Sequence, residues 1–111
     1  MIFFLGEQSS NAYLKCADCE RTAKSGEEAE YIVQAADAIR KVNTATAIEL
    51  LQRACDLYIS DTRISYAAKI RKTIGEIYEN DGELILAARN YQEAADLFYA
   101  EGDNTRFYYI F

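Results

Sequence analysis

Cys16-Ala17-Asp18-Cys19 carries the most reactive atoms in this chain. Two thiols at this spacing suit either thiol–disulfide exchange or half of a tetrahedral zinc site. Zinc needs two more ligands, and the sequence offers one further cysteine, Cys55, and no histidine. Exchange enzymes hold the reactive thiol at a helix N-terminus beside a strand, where the helix dipole favours thiolate. Here the pair falls inside a helical pattern with no strand pattern near it. The expectation is two small side chains packed where the helices of a hairpin meet. A thiol-redox protein built on Cys16 and Cys19 ranks last of three function classes, and a thiol pKa near the ordinary ~8.5 would count against it.

The carboxylates lead to no catalytic or metal centre either. Glu27, Glu28 and Glu30, and Glu76, Glu79, Asp81 and Glu83, lack the ligand spacing of a calcium loop and fall near helix starts or on solvated faces, where they cap and solubilise. The absence of histidine removes imidazole triads, imidazole acid–base catalysis and His-ligated metals. No glycine-rich phosphate-cradling motif occurs. No catalytic, cofactor-binding or metal residue is expected, and no enzyme.

Charge is more informative. Lys and Arg total 12 against 18 for Asp and Glu, a formal charge of −6, which argues against a nucleic-acid-coating protein. Within this acidic chain Arg63, Lys69, Arg71 and Lys72 make 63–72 the most basic stretch. Local positive charge on a negative protein can steer an acidic partner while net repulsion discourages indiscriminate association. The alternative is a solvated helix face with intrahelical pairs such as Lys72 with Glu76, each worth a few tenths of a kcal/mol.

The elements that must position these groups are helices. The 111 residues are half apolar and 13% aromatic, with no proline and five glycines, so the chain should fold and has few helix breakers. Turn signals recur at Ser25-Gly26, Asn43-Thr44, Asp61-Thr62, Asp81-Gly82 and Gly102-Asp103. Between them apolar residues follow helical spacing: Ala29, Ile32, Ala35, Ala36 and Ile39 in 28–42; Ala47, Leu50, Leu51, Ala54 and Tyr58 in 46–59; Ala67, Ile70, Ile74, Ile77 and Tyr78 in 63–79; and Leu84, Ala87, Ala88, Tyr91, Ala94, Ala95 and Phe98 in the last. A less regular helix is expected over about 10–24. Residues 47–58 align with 87–98 at an offset of 40 residues. Two helices per period, small alanines at close approaches and Tyr or Phe between them mark stacked helical hairpins of the tetratricopeptide type, which present surfaces to other proteins. No apolar run reaches the roughly 18 residues of a membrane span, and Met1-Ile2-Phe3-Phe4-Leu5 is too short for a signal-peptide core. The three cysteines fit a cytoplasmic chain.

The stretch Asn11-Ala12-Tyr13 through Arg40-Lys41, then Ala47-Ile48-Glu49 to Tyr58, Tyr66-Ala67-Ala68-Lys69, Ile74-Gly75-Glu76-Ile77-Tyr78-Glu79 and Tyr91-Gln92-Glu93-Ala94-Ala95-Asp96, resembles the middle of a soluble NSF attachment protein (SNAP) of the α/β type. The resemblance implies an all-α fold, a right-handed superhelical stack of antiparallel helical hairpins. It implies a non-enzymatic adaptor that wraps SNARE coiled coils and recruits the ATPase NSF, which disassembles the SNARE complex after membrane fusion. It also implies site residues. The family grips the acidic SNARE bundle with basic residues on its concave face, and the matching positions here are Arg40, Lys41, Arg63 and Lys69.

Departures from the family accompany the match. Similarity stops after Asp103, the next concave basic position falls near Tyr109, and the NSF-stimulating C-terminal part has no counterpart. The family's membrane-touching loop carries paired phenylalanines; Phe3-Phe4 is similar but out of register, and its alternative is to cap the open end of the array or to be disordered. The expected organisation is an apolar N-terminal stub over 1–10 and a helical-repeat domain over 11–111. The expected function is a SNAP-like adaptor in intracellular vesicle transport, cytoplasmic and peripherally membrane-associated, with a syntaxin-type SNARE bundle and NSF as partners and no nucleic acid or cofactor. The alternative is a truncated helical-repeat interaction module without SNARE or NSF activity, whose binding would depend on an apolar groove.

Overall fold

The computed structural model describes residues 2–23 and 27–102, with side chains described over 6–19 and 27–100. Five helices follow in order: α1 (Ile2–Ala23), α2 (Glu28–Ile39), α3 (Thr44–Ser60), α4 (Ile64–Asn80) and α5 (Leu84–Gly102). Among the described residues there is no strand. The chain divides into two compact units, Met1–Leu57 and Tyr58–Phe111, with the division inside α3.

In the first unit α1 packs against α2. The pair is antiparallel, since Gly6, early in α1, meets the end of α2: a Cβ there would stand 3.0 Å from the Ala38 carbonyl oxygen and 3.1 Å from Val42 Cγ2. The helix expected from about residue 10 thus begins at Ile2. Alternation of apolar pairs with charged residues lets α2 bury one stripe, Ala29, Ile32, Ala35, Ala36 and Ile39. Glu28 and Glu30 occupy its first turn, where carboxylates complement the helix dipole. The Asn43 side-chain oxygen accepts the Thr46 amide at 3.1 Å, as an N-cap does for the start of α3. Arg53 of α3 reaches Glu28 of α2 at 3.5 Å. Ala47, Leu50, Leu51, Ala54 and Cys55 are buried as the helical spacing requires, and full burial of a residue such as Ile32 or Leu51 contributes about 1.5–3 kcal/mol.

In the second unit α4 and α5 form an antiparallel hairpin. Tyr91 Oη donates to Glu79 Oε1 at 2.6 Å, and Arg71 reaches Asn90 Oδ1 at 3.4 Å and Glu93 at 3.3 Å. The contacts run late-with-early along both helices, as antiparallel packing demands. Gly75 makes the approach close, because a Cβ there would lie 2.9 Å from Cδ1 and Cε1 of Tyr91. The turns before and after α4 repeat one hydrogen-bond pattern twenty residues apart. Thr62 and Arg63 amides donate to Ile59 and Tyr58 carbonyls; Gly82 and Glu83 amides donate to Glu79 and Tyr78. This closure needs a left-handed residue after the helix, supplied by Gly82 at φ 80 and, at a steric cost, by Thr62 at φ 62.

Two expectations fail on burial. Cys16 and Cys19 lie within α1, but both are exposed and only Cys55 is buried; they sit off the stripe marked by buried Ala17, so they do not pack a hairpin contact. On α5, Ala87 and Ala94 are buried, whereas Leu84, Ala88 and Ala95 are exposed and Tyr91 and Phe98 half-buried. The side of α5 that faces α4 instead buries Asn90, whose amide satisfies itself by donating to the Leu86 carbonyl at 2.9 Å while accepting from Arg71. A polar residue satisfied by its own helix and a cross-helix arginine replaces the apolar neighbour that simple periodicity assigns. The signals at Ser25-Gly26 and Asp103 lie outside the described residues.

Candidate functional site

Among the described residues no group of three metal-ligating side chains comes together. The acidic residues serve α2 and the hairpins: Glu28 pairs with Arg53, Glu93 with Arg71, and Glu79 accepts from Tyr91. That last bond pushes the Tyr91 phenol up to about 12, since only the protonated hydroxyl can donate to Glu79, with desolvation and nearby Glu79 and Glu76 charge adding to the effect.

The basic residues separate into two groups. Arg53 and Arg71 hold neighbouring helices together through carboxylates. Arg40, Lys41, Arg63 and Lys69 close no ion pair among the described residues. Arg40 is the C-cap of α2 and Lys41 follows it, a position where any cation is favourable because unpaired carbonyls converge there. Arg63 is the reverse case. It is the N-cap residue of α4, exposed and without a side-chain cap bond, where a cation opposes the helix dipole and where Ser, Thr, Asp or Asn would stabilise. Helix capping therefore gives no reason for Arg63, which closes no ion pair among the described residues. Lys69 projects from the same helix, with its ammonium 5.6 Å from the centre of the Tyr66 ring.

Lys69 and Tyr66 are thus exposed side by side on α4, and Arg63 is exposed at the start of that helix, three residues before Tyr66. Arg40 and Lys41 belong to the first unit and stand in their own cluster at the end of α2. Arg71, part of the basic stretch in sequence, is withdrawn from this surface by Glu93 and Asn90. Tyr66 was not among the sequence-derived residues. Its signal was present in Tyr66-x-x-Lys69, a spacing that places ring and ammonium on adjacent turns. Phe3 and Phe4 fall in the opening turns of α1, and their side chains lie outside the described residues. None of the described helices is long and apolar enough to cross a membrane.

The described residues form paired helices with exposed cations that close no ion pair among them, at helix ends and on α4, the kind of surface that helical-repeat proteins present. The family model described as "Soluble NSF attachment protein, SNAP" matches residues 5–110, so the similarity runs past Asp103, the end expected from the sequence, and the chain belongs to that family. It is 31% identical over 99 residues to the beta-soluble NSF attachment protein of Bos taurus, covering 87% of this chain and 33% of that protein. It is 30% identical to the alpha-soluble NSF attachment protein of Homo sapiens, covering 87% of this chain and 34% of the relative. A soluble NSF attachment protein homolog of fowlpox virus is 31% identical over 103 residues, covering 90% and 37%. The chain spans about a third of the length of these curated relatives. No solved structure matches it.

Proposed function

We propose that this chain is a SNAP-like adaptor surface that binds the SNARE helical bundle and links it to the NSF ATPase for disassembly in intracellular vesicle transport. Catalysis belongs to the ATPase; the adaptor supplies binding. The reading rests on family membership and, within the molecule, on Arg63: an exposed cation at a helix N-terminus, uncompensated by any carboxylate among the described residues. In this reading Arg63 and Lys69 meet acidic side chains of a syntaxin-type bundle, and Arg40 and Lys41 are a separate basic cluster of the first unit proposed for the same kind of contact. Such contacts act through long-range attraction, so they accelerate association and weaken with salt. The adaptor works in the cytoplasm, peripherally on membranes.

The test is retention of the chain on an assembled four-helix SNARE bundle at low and high salt, beside the Arg63→Glu/Lys69→Glu variant. Binding that falls with salt and is lost in the variant supports the adaptor. Equal retention of both proteins refutes it. A second reading, a helical-repeat module for another helix or peptide, is favoured by the exposed apolar side chains of Leu84, Ile85 and Tyr99 on α5. Its mark would be binding indifferent to Arg63 and Lys69 and abolished by Leu84→Glu.

A further inference from the structure

The cation on α4 does not stand alone. Tyr58, at the end of α3, is 7% exposed and its ring stacks on that of Tyr66 with centroids 5.3 Å apart and planes 23° from parallel. Tyr66 remains 51% exposed, so one ring is anchored in the core and the other is held against it while still facing outward. The Lys69 ammonium sits over this second ring at 5.6 Å, within the range of a cation–π contact. Beyond it, the Thr73 hydroxyl donates to the Lys69 carbonyl at 3.0 Å, within the helix. The chain of support runs core, Tyr58, Tyr66, Lys69.

We propose that Tyr66 is a positioning and specificity-determining residue of the binding surface. It holds the Lys69 ammonium in place and leaves the uncovered part of its half-exposed ring as an apolar surface beside Lys69. The surface then takes an acidic amphipathic helix: a carboxylate bonds the ammonium and an aliphatic neighbour of that carboxylate lies on the ring. This rests on the adaptor reading and deepens it. A free lysine must give up side-chain rotamer freedom when it binds, and a lysine already held by a ring loses less, so pre-organisation raises affinity without a new contact. The occupant is a protein helix rather than a nucleic acid or an anionic bilayer. An ammonium held beside an apolar ring matches a carboxylate with an aliphatic neighbour, whereas a dense polyanion offers the ring no aliphatic group and is opposed by the chain's −6 charge.

The experiment measures equilibrium affinity of the full chain for an assembled SNARE bundle with Tyr66→Leu, Tyr66→Phe, Lys69→Met and the Tyr66→Leu/Lys69→Met pair. Tyr66→Leu should weaken binding about 2- to 5-fold, and Tyr66→Phe, which keeps the ring, should restore it. The double variant should lose less than the product of the single losses, because Tyr66 acts partly through Lys69. Proton NMR gives a second readout that a packing defect would not mimic: the Lys69 side-chain methylenes should be ring-current shifted upfield in the wild type and the Phe variant, and return to ordinary positions in the Leu variant. Unchanged affinity for Tyr66→Leu, fully multiplicative losses, or unshifted Lys69 methylenes in the wild type would each overturn the proposal. Comparable retention on phosphatidylserine vesicles, lost in the same variants, would overturn the assignment to a protein helix. If Arg63→Glu/Lys69→Glu binds like the wild type, the adaptor reading itself fails; if that variant loses binding while Tyr66→Leu does not, only the role of Tyr66 fails.

Discussion

Substituting Gly75 by alanine sets two physical terms against each other. In an ordinary helix interior Gly→Ala stabilises by roughly 0.5–1 kcal/mol, because alanine has less backbone freedom to lose. Here the new methyl would stand 2.9 Å from two Tyr91 ring atoms and 3.2 Å from a third. The ring cannot simply swing aside, since its hydroxyl is held by Glu79 at 2.6 Å. Overpacking of this kind costs about 1–3 kcal/mol. The difference leaves Gly75→Ala destabilised by about 1 kcal/mol, or a fall of roughly 4 °C in Tm for a domain of this size. With Tyr91→Ala already in place there is no ring to meet, and the same Gly75→Ala change should stabilise. Urea unfolding followed by circular dichroism for the four proteins of the cycle should therefore give a coupling of about 1–3 kcal/mol. A Gly75→Ala change that stabilises equally in both backgrounds would refute the close approach of α4 and α5 at this point.

Thr62→Gly should stabilise by about 0.5–1 kcal/mol, since relief of a left-handed threonine exceeds the added unfolded-state entropy of glycine; a lower urea midpoint would contradict the strain. Tyr91 has its folded pKa raised from 10.0 to about 12, so its contribution to stability is complete below the unfolded value and is lost as pH rises from about 10 through 12. Tyr91→Phe should accordingly flatten part of the alkaline loss of stability, and identical alkaline profiles would count against the Glu79 bond. Ellman titration of the native chain should find Cys16 and Cys19 reactive and Cys55 protected until denaturant is added, whereas a single reactive thiol would show the exposed pair misplaced.

Most helices were legible because their apolar residues repeat at helical spacing and alanines mark close approaches: the stripes of α2, α3 and α4 are buried largely as their sequence dictates. Misreadings arose where one element's surroundings decide. The periodicity of α5 spans two sides, but α4 covers one of them, and burial went to Asn90 because Arg71 could satisfy it. Cys16 and Cys19 look suited to a packed contact by size alone, yet exposure depends on which side of α1 meets α2, a rotation that irregular periodicity leaves undefined. The start of α1 was obscured by Gly6, a helix-weakening residue retained where α2 comes close. At the site, sequence distinguishes basic residues only by type. The structure divides Arg71, committed to Glu93, from Lys69, poised on Tyr66.

The most direct test of the central claim pairs stability with binding in one variant, Arg63→Ser. A serine at the N-cap of α4 removes an opposing charge and supplies a cap acceptor, so the chain should gain about 0.5–1 kcal/mol. If Arg63 is present for a partner, the same protein should bind the SNARE bundle roughly 3- to 10-fold more weakly at low salt, with the deficit shrinking as salt rises. A more stable chain that binds less well is the predicted result. A variant that binds as well as the wild type, at any stability, would contradict the account.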